Sequence, residues 1–542
     1  MKTLTIFLYV CFINLVSALD CPPKDASVPL CPSSGSTLLD DTYPVQAFVI
    51  SNKATGRHTQ ESSNVTLNFM ETITDSYSEN HYKNLPQMIL SAGNEEDFND
   101  LKTNLTKKLK DKKIPQGDID KIMRQMTFRE QQGYTWQQDY FESFFDPKTG
   151  SPVLRKVADY DNIMKGDTGK IEDMAKTGQS CGVTSGPELK GDPKSFSING
   201  EMGGNIEAAP GGFCLVGDNQ GNDYTKSFCK SDDNIIQLKT SFLSVGHVDE
   251  LFKIIPTNIN DGRPQECQFS LMVASPKKGI ELMKKPDHGK DNIFDYNPKL
   301  SDEEIDQYFA NKPSRKTAKG MCNYIKQIYK EKGASPSPSN SSPAGARSVF
   351  FNIFSLVLSD SFAGLKRNGS NNTQPDPSEN ICLKGMKNTT NYDLATKMTE
   401  DDNFNKLNNA IQDSLDKDAA LIKDKVLSRL PQCKKYFDDN NKDVPSFIIP
   451  VPDIFSSQID PTIINPETNK VELKKDTIST NSIYPNPTNS VIMNKTILFP
   501  NPENQAFSSY LSDEMKKRGI KYKSVSDDNI NYPSTTIRIT HT

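Results

Sequence analysis

Histidine, tryptophan and common catalytic motifs are scarce in this 542-residue sequence, which has five His and one Trp. It contains no HExxH pattern, and residues 166–170 lack the spacing of a phosphate-binding loop. None of its cysteines form a CxxC pair, which disfavours a thiolate zinc site. Zinc protease and nucleotide-binding classes therefore have no motif support.

The sequence also lacks an excess of basic charge. Its 64 Lys and Arg stand against 69 Asp and Glu, for a net charge of -5. We therefore expect no nucleic-acid partner. After the amino terminus, the best apolar run is residues 349–358, which is shorter than the roughly 20 residues that a membrane-spanning helix needs. We expect no membrane anchor, and the 35% hydrophobic content still permits a sizeable core.

The amino terminus has the three parts of a secretory signal. Lys2 precedes an apolar run over residues 6–16, and Val16-Ser17-Ala18 forms a small-residue cleavage site. We predict a signal peptide over residues 1–18 and a secreted, extracellular protein. Nine further cysteines and seven Asn-x-Ser/Thr sites agree with this prediction. The sites are at Asn64, Asn104, Asn340, Asn368, Asn371, Asn388 and Asn494.

The remaining chain is predicted to form one large domain. Residues 19–40 are rich in Pro, Ser and Cys and indicate a lead-in segment, so the folded domain is expected over 41–542. A disordered, glycosylated insertion is predicted at about 333–380, where Ser, Pro and Asn dominate.

Apolar periodicity predicts alternating strands and helices, which favours an α/β fold. Strands are predicted at 45–50 and 269–273, an extended segment at 447–450, and a final strand pair at 520–525 and 535–539. Helices are predicted from four apolar stripes and one short segment: Phe98, Leu101, Leu105 and Leu109; Ile119, Ile122, Met123 and Met126; Phe404, Leu407, Ile411 and Leu415; Phe507, Leu511 and Met515, ending at Gly519; and residues 279–285.

One histidine stands out among the five. In the segment 242–250, which is FLSVGHVDE, His247 and Asp249 are two residues apart and would lie on the same side of an extended backbone. Such a pair suits acid/base chemistry. The alternative is a surface histidine beside acidic residues in a loop.

Two further segments accompany this pair. Residues 135–142 are TWQQDYFE, with the single Trp, and residues 202–210 are MGGNIEAAP. In this order the three segments resemble the W-x-Q-D-x-x-E, G-N-L-E and L-x-x-G-H-V-D-E motifs of the protein-arginine deiminases. The apolar segments LMVASP at 271–276 and IIPVPDIF at 448–455 resemble the same catalytic domain, so the resemblance covers about 40–330 and 400–540.

The resemblance implies a five-bladed α/β propeller of the pentein type, built from ββαβ modules. It implies a single catalytic-type domain without the amino-terminal immunoglobulin-like domains of vertebrate members. The implied activity is a hydrolase reaction, citrullination, in which protein L-arginine becomes citrulline and ammonia. The expected partner is an arginine-containing protein or peptide.

The resemblance also assigns roles to individual residues. Asp139 and Asp249 match the carboxylates that hold the guanidinium group, a geometry that suits its planar fork of donors. His247 matches the general acid/base, and Trp136 matches an aromatic wall of the pocket. A Cys thiolate performs the attack on the guanidinium carbon in the family.

Calcium is the cofactor that the resemblance implies. Gln138, Glu142 and Glu207 match side-chain ligands of one calcium site, and Gly203 and Ile206 match backbone carbonyl ligands. All five supply oxygen, which calcium prefers. Tyr140 replaces an acidic ligand of a neighbouring site, so one calcium ion is better supported than several.

The nucleophile is the main departure from the family. Its H-C-G-T-N-V-R motif matches YPSTTIR at 532–538, which puts Pro533 where the Cys is expected. Three explanations remain open: a catalytically silent arginine-binding pseudoenzyme, an incorrectly assigned carboxyl-terminal sequence of an active enzyme, or a cysteine recruited from elsewhere, such as Cys214. Hydroxyls at 534–536 are poor substitutes for a thiolate.

Overall fold

A computed structural model shows a mixed α/β protein. It describes residues 38, 41–42, 45–51, 59–82, 85–92, 94–130, 141–146, 151–156, 184–185, 203–218, 229, 231–294, 321, 324–328, 389–437, 445–457, 468, 471–473, 478–493, 495–525 and 536–540. The predicted signal peptide, almost all of the predicted lead-in and the whole predicted insertion lie outside these residues.

The strands form several small sheets. They are β1 (Val45–Ser51), β2 (Gln87–Ala92), β3 (Met126–Glu130), β4 (Phe141–Asp146), β5 (Ser151–Lys156), β6 (Thr184–Ser185), β7 (Ile206–Ala209), β8 (Phe213–Gly217), β9 (Ile235–Leu238), β10 (Phe252–Pro256), β11 (Phe269–Ser275), β12 (Ile448–Pro452), β13 (Phe455–Ser457), β14 (Thr480–Ser482), β15 (Val491–Met493), β16 (Thr496–Pro500), β17 (Lys521–Val525) and β18 (Thr536–Thr540).

Five of the sheets in the described part share one pairing pattern, an antiparallel pair followed by a parallel pair. It occurs in β4-β5-β6, β7-β8-β9, β10-β11-β12, β15-β16-β17 and β18-β1-β2. In the last of these, β3 adds a parallel strand to β2. Strands β13 and β14 form a separate antiparallel pair. A repeated unit therefore underlies the fold.

Helices connect and cover these sheets. The main ones are α1 (Thr59–Tyr77), α2 (Glu95–Asp111), α3 (Gln116–Arg124), α4 (Pro276–Lys284), α5 (Asn391–Glu400), α6 (Asp402–Arg429), α7 (Pro431–Phe437) and α8 (Gln505–Lys517). None of the described helices is long and apolar enough to cross a membrane.

Helix α6 contributes the largest helical face of the core. The four predicted residues of its stripe are buried, and the stripe continues through Ala419, Ile422 and Val426. This face packs on β11 and β9. All seven residues of β11 are buried, as expected of a central strand with both faces covered. The strand predicted at 269–273 and the helix predicted from the stripe that begins at Phe404 are thus confirmed.

Several predictions hold with shifted boundaries. The structure contains the strand predicted at 45–50. It also contains the helix predicted from the stripe that begins at Phe98, and the residues of this stripe are buried. Helix α3 ends at Arg124, however, so Met126 begins β3 rather than closing the helix. Helix α4 begins at Pro276 because the Ser275 hydroxyl accepts the Lys278 N–H as an N-cap.

The predicted final strand pair is wrong in its pairing. Both strands exist, but β17 pairs in parallel with β16, and β18 pairs antiparallel with β1. The β18–β1 pairing joins segments that are roughly 500 residues apart in the sequence, since Val45 pairs with Thr540. Local periodicity carries no information about such a partner.

The turn after α8 gives a stability prediction. Gly519 has φ +66°, and a Cβ there would lie 2.2 Å from the Asn258 carbonyl oxygen. We expect Gly519→Ala to lower the free energy of unfolding by about 1–3 kcal/mol, because it combines left-handed strain with a clash. Chemical denaturation measures this change.

Gly117→Ala is the matched control. Gly117 lies in α3 with no atom within 4 Å of an added Cβ, so we expect no loss of stability. Equal destabilisation by the two substitutions would contradict the close approach at Gly519.

Candidate functional site

Asp249 lies in a tight turn that leads into β10, and His247 comes just before this turn, so the extended backbone predicted for the pair does not continue through Asp249. Gly246 has φ +83° just before His247, a conformation that favours glycine. The Leu251 and Phe252 N–H groups both donate to the Val248 carbonyl at 2.9 Å and close the turn. His247 is 6% exposed and Asp249 is 2% exposed, so the alternative of a surface histidine is wrong.

A second turn, Gly203–Asn205, brings the MGGNIEAAP segment against this pair. The Asp249 N–H donates to the Gly204 carbonyl at 3.1 Å. A Cβ on Gly204 would lie 2.6 Å from His247 Nδ1 and 3.0 Å from Asp249 Oδ2. Both functional side chains therefore converge on one glycine, and only a residue without a side chain leaves room for them.

Charged side chains gather beside this turn. The Lys253 ammonium of β10 lies 2.8 Å from Glu207 Oε1, on β7, and 2.8 Å from Asp41 Oδ2. Burial alone would lower the pKa of Lys253, but the charges of Asp41 and Glu207 outweigh it and raise that pKa. We call Asp41, Glu142, Glu207 and Lys253 the Lys253 cluster.

Glu142, on β4, completes the cluster. Its Oε1 is buried and accepts no hydrogen bond from the described residues. Burial, followed by the charge of Glu207, raises the pKa of Glu142 well above its ordinary value. The charges of Asp41 and Asp249 act in the same direction, whereas Lys253 opposes them. The structure therefore places Glu142 within electrostatic range of Glu207.

The cluster does not fit a calcium ion while Lys253 stays in it. Calcium binds carboxylate oxygens at about 2.3–2.6 Å, and Glu207 Oε1 already accepts from the Lys253 ammonium. Two cations on one oxygen would repel each other strongly in a buried place. Within the described ranges, no group of three or more His, Cys, Asp or Glu side chains is placed to hold a metal ion.

Some predicted site residues lie outside the described residues. These are Trp136, Gln138, Asp139 and Pro533. The strands that follow them are described, since β4 begins at Phe141 and β18 at Thr536. These two strands contact each other.

Two buried carboxyl groups near the site were not predicted. Burial raises the pKa of Glu250 to about 7, and its Oε2 accepts the His247 N–H at 3.4 Å. Burial also raises the pKa of Asp453 to about 8, with a smaller contribution from the charge of Glu250. The Ser482 hydroxyl donates to Asp453. A charged residue inside an apolar run, as in IIPVPDIF, is the sequence signal that marks Asp453; Lys253 in FKIIP is the same kind of signal.

Disulfide bonds account for all the cysteines in the described part of the chain. Cys214 is bonded to Cys229, and Cys267 is bonded to Cys433. A cysteine in a disulfide has no thiolate to attack a substrate. Cys214 is therefore excluded as a recruited nucleophile.

Family comparison agrees with the sequence motifs. Residues 221–329 match the protein-arginine deiminase (PAD) family. This match agrees with the resemblance and covers the segment that contains His247, Asp249 and Lys253. No curated protein matches the chain.

Solved deiminase structures are similar over most of the chain. A candidate arginine deiminase from Porphyromonas gingivalis is 10% identical, with 93% of this chain and 98% of that chain covered and a TM-score of 0.38. An agmatine deiminase of C. jejuni with substrate bound is 9% identical, with coverage of 95% and 99% and a TM-score of 0.38. An agmatine deiminase of Enterococcus faecalis is 8% identical, with coverage of 95% and 100% and a TM-score of 0.37. Similarity at this level carries no argument about substrate or mechanism.

The convergence on Gly204 can be tested by substitution. We expect Gly204→Ala to displace the imidazole of His247, because the added Cβ would overlap Nδ1. NMR of the imidazole nitrogens and protons should show changed shifts for His247. Gly117→Ala should leave that spectrum unchanged, and an unchanged spectrum in Gly204→Ala would contradict the contact.

The buried Asp453 predicts a pH dependence of stability. Its pKa is raised to about 8 in the folded protein from an ordinary 3.8, so the folded state holds a proton that the unfolded chain releases. This contribution to stability is complete below about pH 4 and is lost as the pH rises through about 8. The melting temperature should therefore fall between pH 5 and pH 8, by several degrees more in the parent protein than in Asp453→Asn. Equal slopes in the two proteins would contradict the shift.

Proposed function

We propose that this chain binds the guanidinium group of an arginine-containing protein or peptide and does not hydrolyse it. The observation that carries the proposal is the convergence of buried His247 and Asp249 over Gly204. A buried carboxylate favours a cationic ligand that can donate several hydrogen bonds, and a guanidinium group presents a planar fork of such donors.

Asp139 and Trp136 complete the proposed site. The second carboxylate would hold the other side of the guanidinium group, and the indole would cover its flat face. The assignment is supported by the motif TWQQDYFE and by the position of Glu142, which ends that motif and lies in the Lys253 cluster. These roles follow the family pattern residue by residue.

The residue at the family's nucleophile position supports binding without hydrolysis. Pro533 stands at the family's cysteine position and has no group that can attack the guanidinium carbon. Cys214 and Cys433 are held in disulfides. Without a covalent intermediate, His247 has no leaving group to protonate and serves to orient the ligand.

An active deiminase is the second candidate. His247 is buried against Asp249 in the arrangement that acid/base chemistry uses, and binding alone does not require a histidine there. In this case an incorrectly assigned carboxyl-terminal sequence would hide the nucleophile. Protein L-arginine would then be converted to citrulline and ammonia.

Three further properties form part of the proposal. We propose a five-bladed propeller, supported by the five sheets with one pairing pattern, and a secreted glycoprotein, supported by the signal-like amino terminus and the two disulfides. The calcium dependence implied by the family is not carried into the proposal, because Lys253 lies among the expected ligands.

Calorimetry with matched peptides tests the binding proposal. The purified protein should bind an arginine peptide more tightly than the same peptide with citrulline or lysine, because only arginine combines the charge with the planar fork. Asp249→Asn should weaken binding at least tenfold, which is about 1.4 kcal/mol. Asp118→Asn, which removes a partly buried carboxylate of α3 paired with Lys121, is the control and should bind normally.

Product analysis separates the two candidates. We expect no citrulline from the arginine peptide, with calcium or with chelator, after the encoded YPSTT sequence has been verified in the protein. Citrulline formation by the parent protein that is lost in Asp249→Asn would contradict the binding proposal and show that the chain is an active deiminase. Equal affinity for arginine and lysine peptides would contradict guanidinium recognition.

A further inference from the structure

Lys253 is buried in a strand of otherwise apolar residues. Its neighbours Phe252, Ile254 and Ile255 are at most 2% exposed, and Lys253 itself is 7% exposed. A lysine is almost never buried to this degree without carboxylate partners, because removing an ammonium from water costs several kcal/mol. The two ion pairs with Asp41 and Glu207 offset this cost.

These ion pairs join three distant parts of the chain. Asp41 lies before β1, Glu207 is the second residue of β7, and Lys253 is the second residue of β10. Glu207 lies two residues after the Gly203–Asn205 turn, in which the Gly204 carbonyl accepts the Asp249 N–H. The ammonium thus holds the strand that positions the turn under His247 and Asp249.

A cation in this place has an electrostatic function. The charges of Glu207, Asp41 and Asp249 act on Glu142, and the charge of Lys253 opposes them there. Two of these carboxyl groups, Glu142 and Glu207, match calcium ligands of the family. The chain therefore carries its own cation, covalently attached, among carboxylates of the kind that bind a hard metal ion.

We propose that the Lys253 ammonium takes the place of a calcium ion in the Lys253 cluster, so that the turn beneath His247 and Asp249 is held without calcium. Lys253 is a positioning residue in this proposal, because it acts on the site through Glu207 and the Gly203–Asn205 turn. A monovalent tethered cation cannot be removed by a chelator. The ordered state of this chain should therefore be insensitive to the calcium concentration.

Calorimetric calcium titration of the parent protein and of Lys253→Met tests the proposal. The parent should show no saturable binding at the Lys253 cluster and no change in melting temperature between calcium and chelator. Lys253→Met keeps the length and apolar stem of the side chain and removes the ammonium. It should gain a calcium site with a Kd on the order of 0.1–1 mM, the range of extracellular calcium modules, and calcium should raise its melting temperature.

Lys239→Met is the matched control. Lys239 is a partly buried lysine whose ammonium lies 2.6 Å from Asp218 Oδ2, outside the Lys253 cluster. Removing it also leaves a carboxylate without its ammonium, but Asp218 still accepts backbone N–H bonds from Thr240 and Ser241. This variant should show no gain of calcium binding, and an equal gain would overturn the assignment to Lys253.

Two further variants separate the loss of the Lys253 charge from a failure to fold. Lys253→Arg retains the charge and should remain indifferent to calcium. If Lys253→Met fails to fold in chelator, it should fold when calcium is added, and Lys253→Met/Glu207→Gln should fold without calcium and bind none. Failure of calcium to rescue folding would overturn the proposal, as would folded Lys253→Met that binds no calcium or a parent protein whose cluster binds it.

These measurements are independent of arginine binding. Calcium affinity and melting temperature need neither substrate nor catalytic activity. A chain that fails to recognise guanidinium groups could still carry the tethered cation, and the two proposals can therefore fail separately.

Discussion

The approach of two turns at Gly204 is the constraint on which the candidate site depends. One backbone hydrogen bond, from the Asp249 N–H to the Gly204 carbonyl, couples the chain before β10 to the chain before β7. The space above the glycine is filled by the imidazole and the carboxylate themselves. The functional side chains are thus placed by backbone contact, with little conformational freedom left for either to lose when a ligand arrives.

Electrostatics around this contact differ from those of an ordinary buried core. The Lys253 ammonium faces Glu207 on β7 and Asp41 before β1, and its charge also acts on Glu142 of β4. Burial makes each unpaired charge expensive, so proton uptake by a carboxyl group or the presence of a cation must balance the rest. The Lys253 ammonium is such a cation. The raised pKa values of Glu142 and Asp453 favour proton uptake by these two carboxyl groups.

Sequence periodicity located most of the long helices and central strands, because an apolar stripe such as Phe404, Leu407, Ile411 and Leu415 is a local signal. It missed α1, and it could not assign β18 to β1, since that pairing depends on the whole chain. The motifs located His247, Asp249, Glu142 and Glu207, but not their neighbour Asp41 or the role of Lys253. The role of Lys253 in FKIIP is evident only from the tertiary structure, which brings Asp41 and Glu207 to its ammonium group.

The Cys267–Cys433 bond spans 166 residues, including the stretch at 333–380 whose composition predicts an exposed loop. A protease that cuts the chain there would produce two fragments still joined through this bond. The break would also leave β10, β11 and β12 in one sheet, because the strands on both sides of the cut are hydrogen-bonded to each other. The molecule can therefore be converted from one polypeptide into a covalently linked two-chain form while retaining the strand that follows His247 and Asp249.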